Sequence, residues 1–295
     1  MVLLGYGDIA QRLAKLAEQR GRSVFAVRRT PSCTNDSRLT EIICGDVTNA
    51  KTLKTLLAGG SCDIVVTLTP DDYSEDGYRN TYLACTQALA TIASDMTTDS
   101  RVIYVSSTSV YGQNNGEVVD ESSHCEPRSA TAKVLLEAEQ VINSLPIQHC
   151  NLRLTGIYGP GRHRIISSVK DGRIAPQTPT HWTNRIHADD CASILDFLIQ
   201  QNTDTLPSTL IGTDNQCVTR WTVQNYIAAL LKGERLSSMT HNSGDDKSAS
   251  ETEQTGKRCS NTRLMELGYE YLYPCLLYTS PSPRDQRGSR MPSSA

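Results

Sequence analysis

Three apolar residues, Val2, Leu3 and Leu4, run straight into GYGDIA, and the helical repeat QRLAKLAEQRG follows at once. A strand that turns this sharply into a helix leaves few architectures open. In the pattern G-x-G-x-x-G/A, Gly5 permits the tight turn, Gly7 lets phosphates approach the backbone, and Ala10 keeps the helix close to the sheet. The helix start, at Asp8 and Ile9, supplies unpaired amides and the positive end of the helix dipole. The pattern predicts a dinucleotide site at the carboxyl end of the first strand.

The next segments keep alternating. SVFAV reads as a second strand, EIICGDV as a third, NAKTLKTLLAGG as a helix, and DIVVTLTP as a strand covered on both faces. Residues 76–93 read as one long helix, and RVIYVSS as the fifth strand. Such βα units predict an α/β, Rossmann-type doubly wound parallel sheet, with ligands at the carboxyl ends of its strands. The second strand ends in Arg28 and Arg29. A site for NAD would place a carboxylate there to bond the ribose hydroxyls, whereas two guanidiniums grip a 2′-phosphate. NADP is therefore expected over NAD; the alternative is two solvated arginines after a strand.

VSSTSVYG at 105–112, then SATAK at 129–133, resemble the catalytic segment of the extended short-chain dehydrogenase/reductase superfamily. That resemblance implies an NAD(P)-dependent epimerase, dehydratase or reductase. It implies that Ser107 hydrogen-bonds the substrate oxygen and that Lys133 holds the nicotinamide ribose. It also implies that Asp46 and Val47 contact the adenine and that Leu68 and Thr69 line the dinucleotide. The family's acid/base tyrosine should stand four residues before the lysine, and Ser129 stands there instead. A phenol can be tuned toward neutrality and a serine hydroxyl cannot. Tyr111 and Tyr158 are the flanking phenols, in VYG and IYGPG, positions that usually shape the pocket. LRLTGIYGPGR, TNRIHADDCA and GKRCSNTRLMELGYEYLYP are similar to an atypical bacterial branch described as NAD-dependent epimerase/dehydratase family.

On the substrate side, GPGR places Arg162 in a loop, and NRIH offers Asn184, Arg185 and His187 ahead of the helix ADDCASILDFLIQQ. Cations converging near the cofactor would suit an anionic, nucleotide-sugar-like small molecule. The alternative is that Arg185 and His187 serve Asp189 and Asp190 at the helix start. Residues 1–160 are expected to form the dinucleotide domain, with core elements also from about 182–212. Residues 161–274 are expected to be mainly a small C-terminal substrate lobe, with a polar loop at 236–256.

A net charge of −3 carries no basic stripe for nucleic acid, no apolar run suggests a membrane span, and no spacing suggests a metal. The short apolar start lacks a basic leader, so a cytoplasmic location is expected. The ten cysteines include Cys44, Cys62, Cys85, Cys150 and Cys191 in or beside apolar segments, and are read as buried free thiols. CLLYTSPSPRDQRGSRMPSSA at 275–295 resembles a translated transposase-type sequencing adapter and is set aside as a non-native tail. The resemblance also implies a homodimer through a four-helix interface. Two functions remain in view: an NADP-preferring enzyme, or a catalytically quiet NADP(H)-binding sensor.

Overall fold

The computed structural model describes residues 1–30, 39–58, 60–202, 206–233 and 253–279. Strand β1 (Val2–Leu4) is buried along its length, and α1 (Asp8–Gln19) turns Ile9, Ala10, Leu13, Ala14 and Ala17 inward. Then come β2 (Val24–Arg28), β3 (Thr40–Cys44), α2 (Ala50–Leu56) and β4 (Asp63–Val66). The Asn49 side chain caps α2 by accepting from the Lys51 and Thr52 amides. The expected single helix over 76–93 is instead α3 (Glu75–Tyr78), a π-helical turn (Arg79–Leu83) and α4 (Ala84–Ile92). The wide turn occurs where Tyr78 and Tyr82 pack ring to ring, 5.1 Å between centroids.

Strand β5 (Arg101–Ser107) leads to β6 (Asn115–Val119), then α5 (Ala130–Asn143), β7 (Gln148–Leu154) and β8 (Gly156–Tyr158). The remainder is α6 (Arg164–Lys170), β9 (Thr180–Thr183), β10 (Arg185–His187), α7 (Ala188–Gln200), β11 (Thr209–Gly212), β12 (Val218–Thr219), α8 (Arg220–Lys232), β13 (Gln254–Cys259), α9 (Thr262–Glu266) and α10 (Leu276–Thr279). Seven parallel strands form one sheet in the order β11-β7-β5-β4-β1-β2-β3. Alternate residues feed two core layers. Leu3, Val65, Ile103 and Leu152 pack toward α1 and α7, and Leu4, Val66, Val102 and Tyr104 toward α2, α4 and α5.

The lobe beyond the sheet is built on β12-β9-β13-β6. Of the tract expected as a loop, 254–256 already belongs to β13, and 236–252 lies outside the described residues. Cys275 and Leu276 are buried, the latter against Val218 and Val223, so the start of the segment set aside as a tail packs on the lobe. Residues 280–295 lie outside the described ones. Cys85, Cys150 and Cys191 are buried free thiols, whereas Cys44 is exposed and Cys62 half-buried, because both sit at strand ends rather than within a core layer. No described helix is long and apolar enough to cross a membrane.

One charged cluster lies inside this frame. Glu139 of α5 is 1% exposed and accepts from Ser106 Oγ (2.5 Å) on β5 and from Arg153 Nε and Nη2 (3.0 and 2.5 Å) on β7. Arg153 Nη1 also donates to the Tyr111 hydroxyl at 2.7 Å. Removing one partner of a buried pair strands the other charge. Glu139→Ala should therefore lower the unfolding free energy in urea by about 3–5 kcal/mol. The double replacement Glu139→Leu with Arg153→Met should lose less; an equal or larger loss would contradict this account.

Candidate active site

The cleft opens at the carboxyl ends of β1, β4 and β5, where the strand order reverses direction. Gly5 has φ +95°, and a β-carbon there would lie 2.5 Å from the Thr67 carbonyl oxygen, so only glycine fits between β1 and β4. At Gly7 a β-carbon would meet nothing within 4 Å, which leaves the backbone at the start of α1 open to the cleft.

One half of the cleft, near β2, is lined by Arg28, Arg29, Gly45, Val47, Leu68 and Thr69. Arg29 reaches Asp71 at 2.6 Å across its mouth, in an exposed pair. Asp46 does not line it: its carboxylate accepts from the Thr48 amide (2.9 Å) and hydroxyl (2.7 Å), folding back into the turn.

The other half lies against β5 and α5. Ser107, Ser109, Thr131 and Leu135 form one wall, and Tyr73, Tyr78 and Tyr82 another. Asp8, Ile9 and Arg162 close the end near α1. Ser107 Oγ accepts from the Ser109 amide at 3.1 Å, the turn-forming bond open to such a serine, while its own proton stays available. Burial pushes the Tyr82 phenol well above its ordinary pKa and Tyr78 upward too, so both stay neutral, and the Tyr82 hydroxyl donates to the Leu68 carbonyl at 3.3 Å.

A model of the NAD dependent epimerase/dehydratase family matches residues 1–211. The chain belongs to the NAD-dependent epimerase/dehydratase family. A solved Methylobacillus flagellatus protein classed as an NAD-dependent epimerase/dehydratase is 30% identical, over 94% of each chain, with a TM-score of 0.70. Protein YeeZ of Escherichia coli K12 is 37% identical over 101 residues, 34% of this chain and 35% of that protein's length. The fold is shared with MoeE5, solved with UDP-glucuronic acid and NAD, at 21% identity, 92% and 93% coverage and a TM-score of 0.67.

The residues present fit the family's dinucleotide. The open backbone at Gly7, the helix start beside it and the continuous path from Arg28 to Ser107 accommodate an extended anionic ligand. The lysine expected to hold its ribose is placed differently. Lys133 is exposed and does not line the cleft; Thr131 and Leu135 do, four residues apart on one face. Ser129 is the N-cap of α5, its Oγ 3.2 Å from both the Ala132 amide and the Thr131 hydroxyl. The cause is rotational register. Glu139, bound to Arg153, lies on the stripe of Leu135 and Thr131, and Glu137, bound to Arg79 at 2.7 Å, lies on the stripe of Lys133 and Ser129.

Of the four residues expected to bind substrate, Arg162 alone lines this cleft. Asn184 is a strut: its amide donates to the Lys257 carbonyl and accepts from the Cys259 amide, both at 2.8 Å. Arg185 lies on β10 against Gly156, and burial, then Arg220, lowers its pKa. His187 caps α7, accepting from the Asp189 amide at 3.1 Å, and stacks on Tyr273 with centroids 3.7 Å apart. Tyr111 is buried against Arg153, and Tyr158 meets the edge of His187. The sequence reading missed Thr131, Leu135 and the tyrosine wall. One signal was available: Glu139 is a lone acid in the apolar face Ala132, Leu135, Ala138 and Ile142, and steps of four back from it reach 135 and 131.

Burial holds the His187 pKa below its ordinary value. The neutral ring is therefore favoured in the folded state, and its contribution is complete above the unfolded pKa of about 6.5 and lost as pH falls below it. His187→Asn keeps a capping side chain without titrating. Urea titrations from pH 7.5 to pH 5 should show a smaller loss of stability in that variant than in the wild type; equal slopes would contradict the assignment.

Proposed function

We propose that the chain is an NADP(H)-dependent oxidoreductase or epimerase acting on a small, polar, nucleotide-sugar-like molecule. The observation that carries this reading is the pair of adjoining pockets, sharing Gly7, Thr67, Leu68 and Thr69, that run from Arg28 and Arg29 to Ser107. The UDP-sugar and NAD bound by the fold relative MoeE5 support the same class of substrate. Arg28 and Arg29 would hold the 2′-phosphate, Gly7 and Ile9 the diphosphate through their amides, and Leu68 and Thr69 the face of the ligand. When bound, the nicotinamide supplies reversible hydride exchange.

The remaining chemistry belongs to the chain. Ser107 accepts from Ser109 and directs its proton at the substrate oxygen. The Tyr78 phenol, its pKa raised by burial, would donate a hydrogen bond without ionising. The hydroxyl pair Thr131–Ser129, 3.2 Å apart, leads from the cleft to solvent and would pass a proton where the family uses a phenol. General acid/base catalysis is typically worth about 10²–10⁴-fold, so turnover should be slow beside a tyrosine enzyme. The second reading, a dinucleotide-binding sensor without catalysis, is favoured by Thr131 and Leu135 standing on the cleft face.

A binding titration tests the cofactor preference, and a turnover assay separates the two readings. NADPH should bind about tenfold or more tightly than NADH, and Arg28→Ala with Arg29→Ala should erase the difference. Comparable affinities in the wild type would refute the NADP preference. Nucleotide-sugar turnover that disappears in Ser107→Ala would establish the enzyme. Tight dinucleotide binding with no turnover across the panel would establish the sensor.

A further inference from the structure

Resting on the cofactor reading above, we infer that Arg162 is a clamp on the cofactor's diphosphate and not a substrate residue. It stands in the loop after β8, at the end of the cleft formed by Gly7, Asp8 and Ile9, where the amides that open α1 point. Its Nη2 donates to Asp8 Oδ2 at 3.0 Å. Its Nε is buried and has no hydrogen-bond partner. A buried guanidinium donor without an acceptor is costly, and a phosphate oxygen is the acceptor this part of the cleft is built to receive.

The charges around Asp8 support the assignment. A carboxylate at the first residue of α1 suits the helix dipole but repels a diphosphate bound to the same helix start. Asp8 is held by two guanidiniums: Arg12 Nε at 2.9 Å, on its own helix, and Arg162 from the loop. Arg12 divides its guanidinium between Asp8 and, through Nη1, Asp189, while Arg162 gives Asp8 a single Nη2 bond and keeps its Nε for a phosphate oxygen.

The loop is positioned for this. Gly159 has φ +130°, and a β-carbon there would meet His187 Nε2 at 2.9 Å, so the loop lies tight on the residue that caps α7. The Arg162 amide closes the turn by donating to the Gly159 carbonyl at 3.1 Å. Gly161 (φ +81°) also takes the left-handed conformation, so glycine geometry on both sides of Pro160 sets the base from which Arg162 reaches Asp8.

The test is a fluorescence titration of NADPH, beside competition by adenosine 2′-monophosphate, which carries the 2′-phosphate but no diphosphate. Arg162→Ala should weaken NADPH by about tenfold or more and leave adenosine 2′-monophosphate within about twofold. Arg162→Lys, which keeps the charge and loses the fork, should fall between. The loss should persist in an Asp8→Asn background. NADPH binding by Arg162→Ala within about twofold of the wild type would overturn the clamp. So would a loss that Asp8→Asn abolishes, since Arg162 would then only screen Asp8, and so would an equal loss for both ligands. A wild-type chain that binds adenosine 2′-monophosphate but neither dinucleotide would defeat the cofactor reading itself.

Discussion

The buried pair Glu139–Arg153 fixes more of this molecule than its size suggests. It ties α5 to β7 directly and to β5 through Ser106, in a place where neither charge reaches solvent. Leaving either group unpaired is so costly that α5 has one rotational setting. That setting puts Thr131 and Leu135 over the cleft and sends Lys133 outward, toward the side where Glu137 meets Arg79. A shift of two residues along a helix is a rotation of about 200°, enough to exchange a cleft face for a solvated one.

The cofactor half was legible in the sequence because its constraints are local. Gly5, Gly7 and Ala10 follow one another within a single strand and turn, and the steric reason for Gly5 needs only the neighbouring strand. The alternation of apolar runs and amphipathic repeats carried the parallel sheet in the same way. Arg28, the last residue of β2, and Arg29 just after it line the cleft, whereas Asp46, expected at the adenine, folds back onto Thr48.

The half of the cleft against β5 and α5 was not, because its register depends on partners far along the chain. Arg153 and Ser106 decide where Glu139 points, and neither is near SATAK in sequence. The same distance hid Asn184, whose side chain bridges to the backbone of β13 some seventy residues on. His187 read as a ligand because a histidine before a helix is ambiguous; its stacking on Tyr273 and its bond to the Asp189 amide make it a cap. The π-helical turn that brings Tyr78 and Tyr82 together leaves no simple periodic mark. The site therefore keeps the expected Ser107 hydroxyl, but beside it stand Thr131, Leu135 and phenols where Lys133 was expected.

The structure of the protein crystallised with NADP(H) tests this arrangement most directly. The account predicts the 2′-phosphate at Arg28 and Arg29, the nicotinamide beside Ser107 and Thr131, and the Lys133 side chain in solvent. A Lys133 ammonium bonded to the nicotinamide ribose would contradict it.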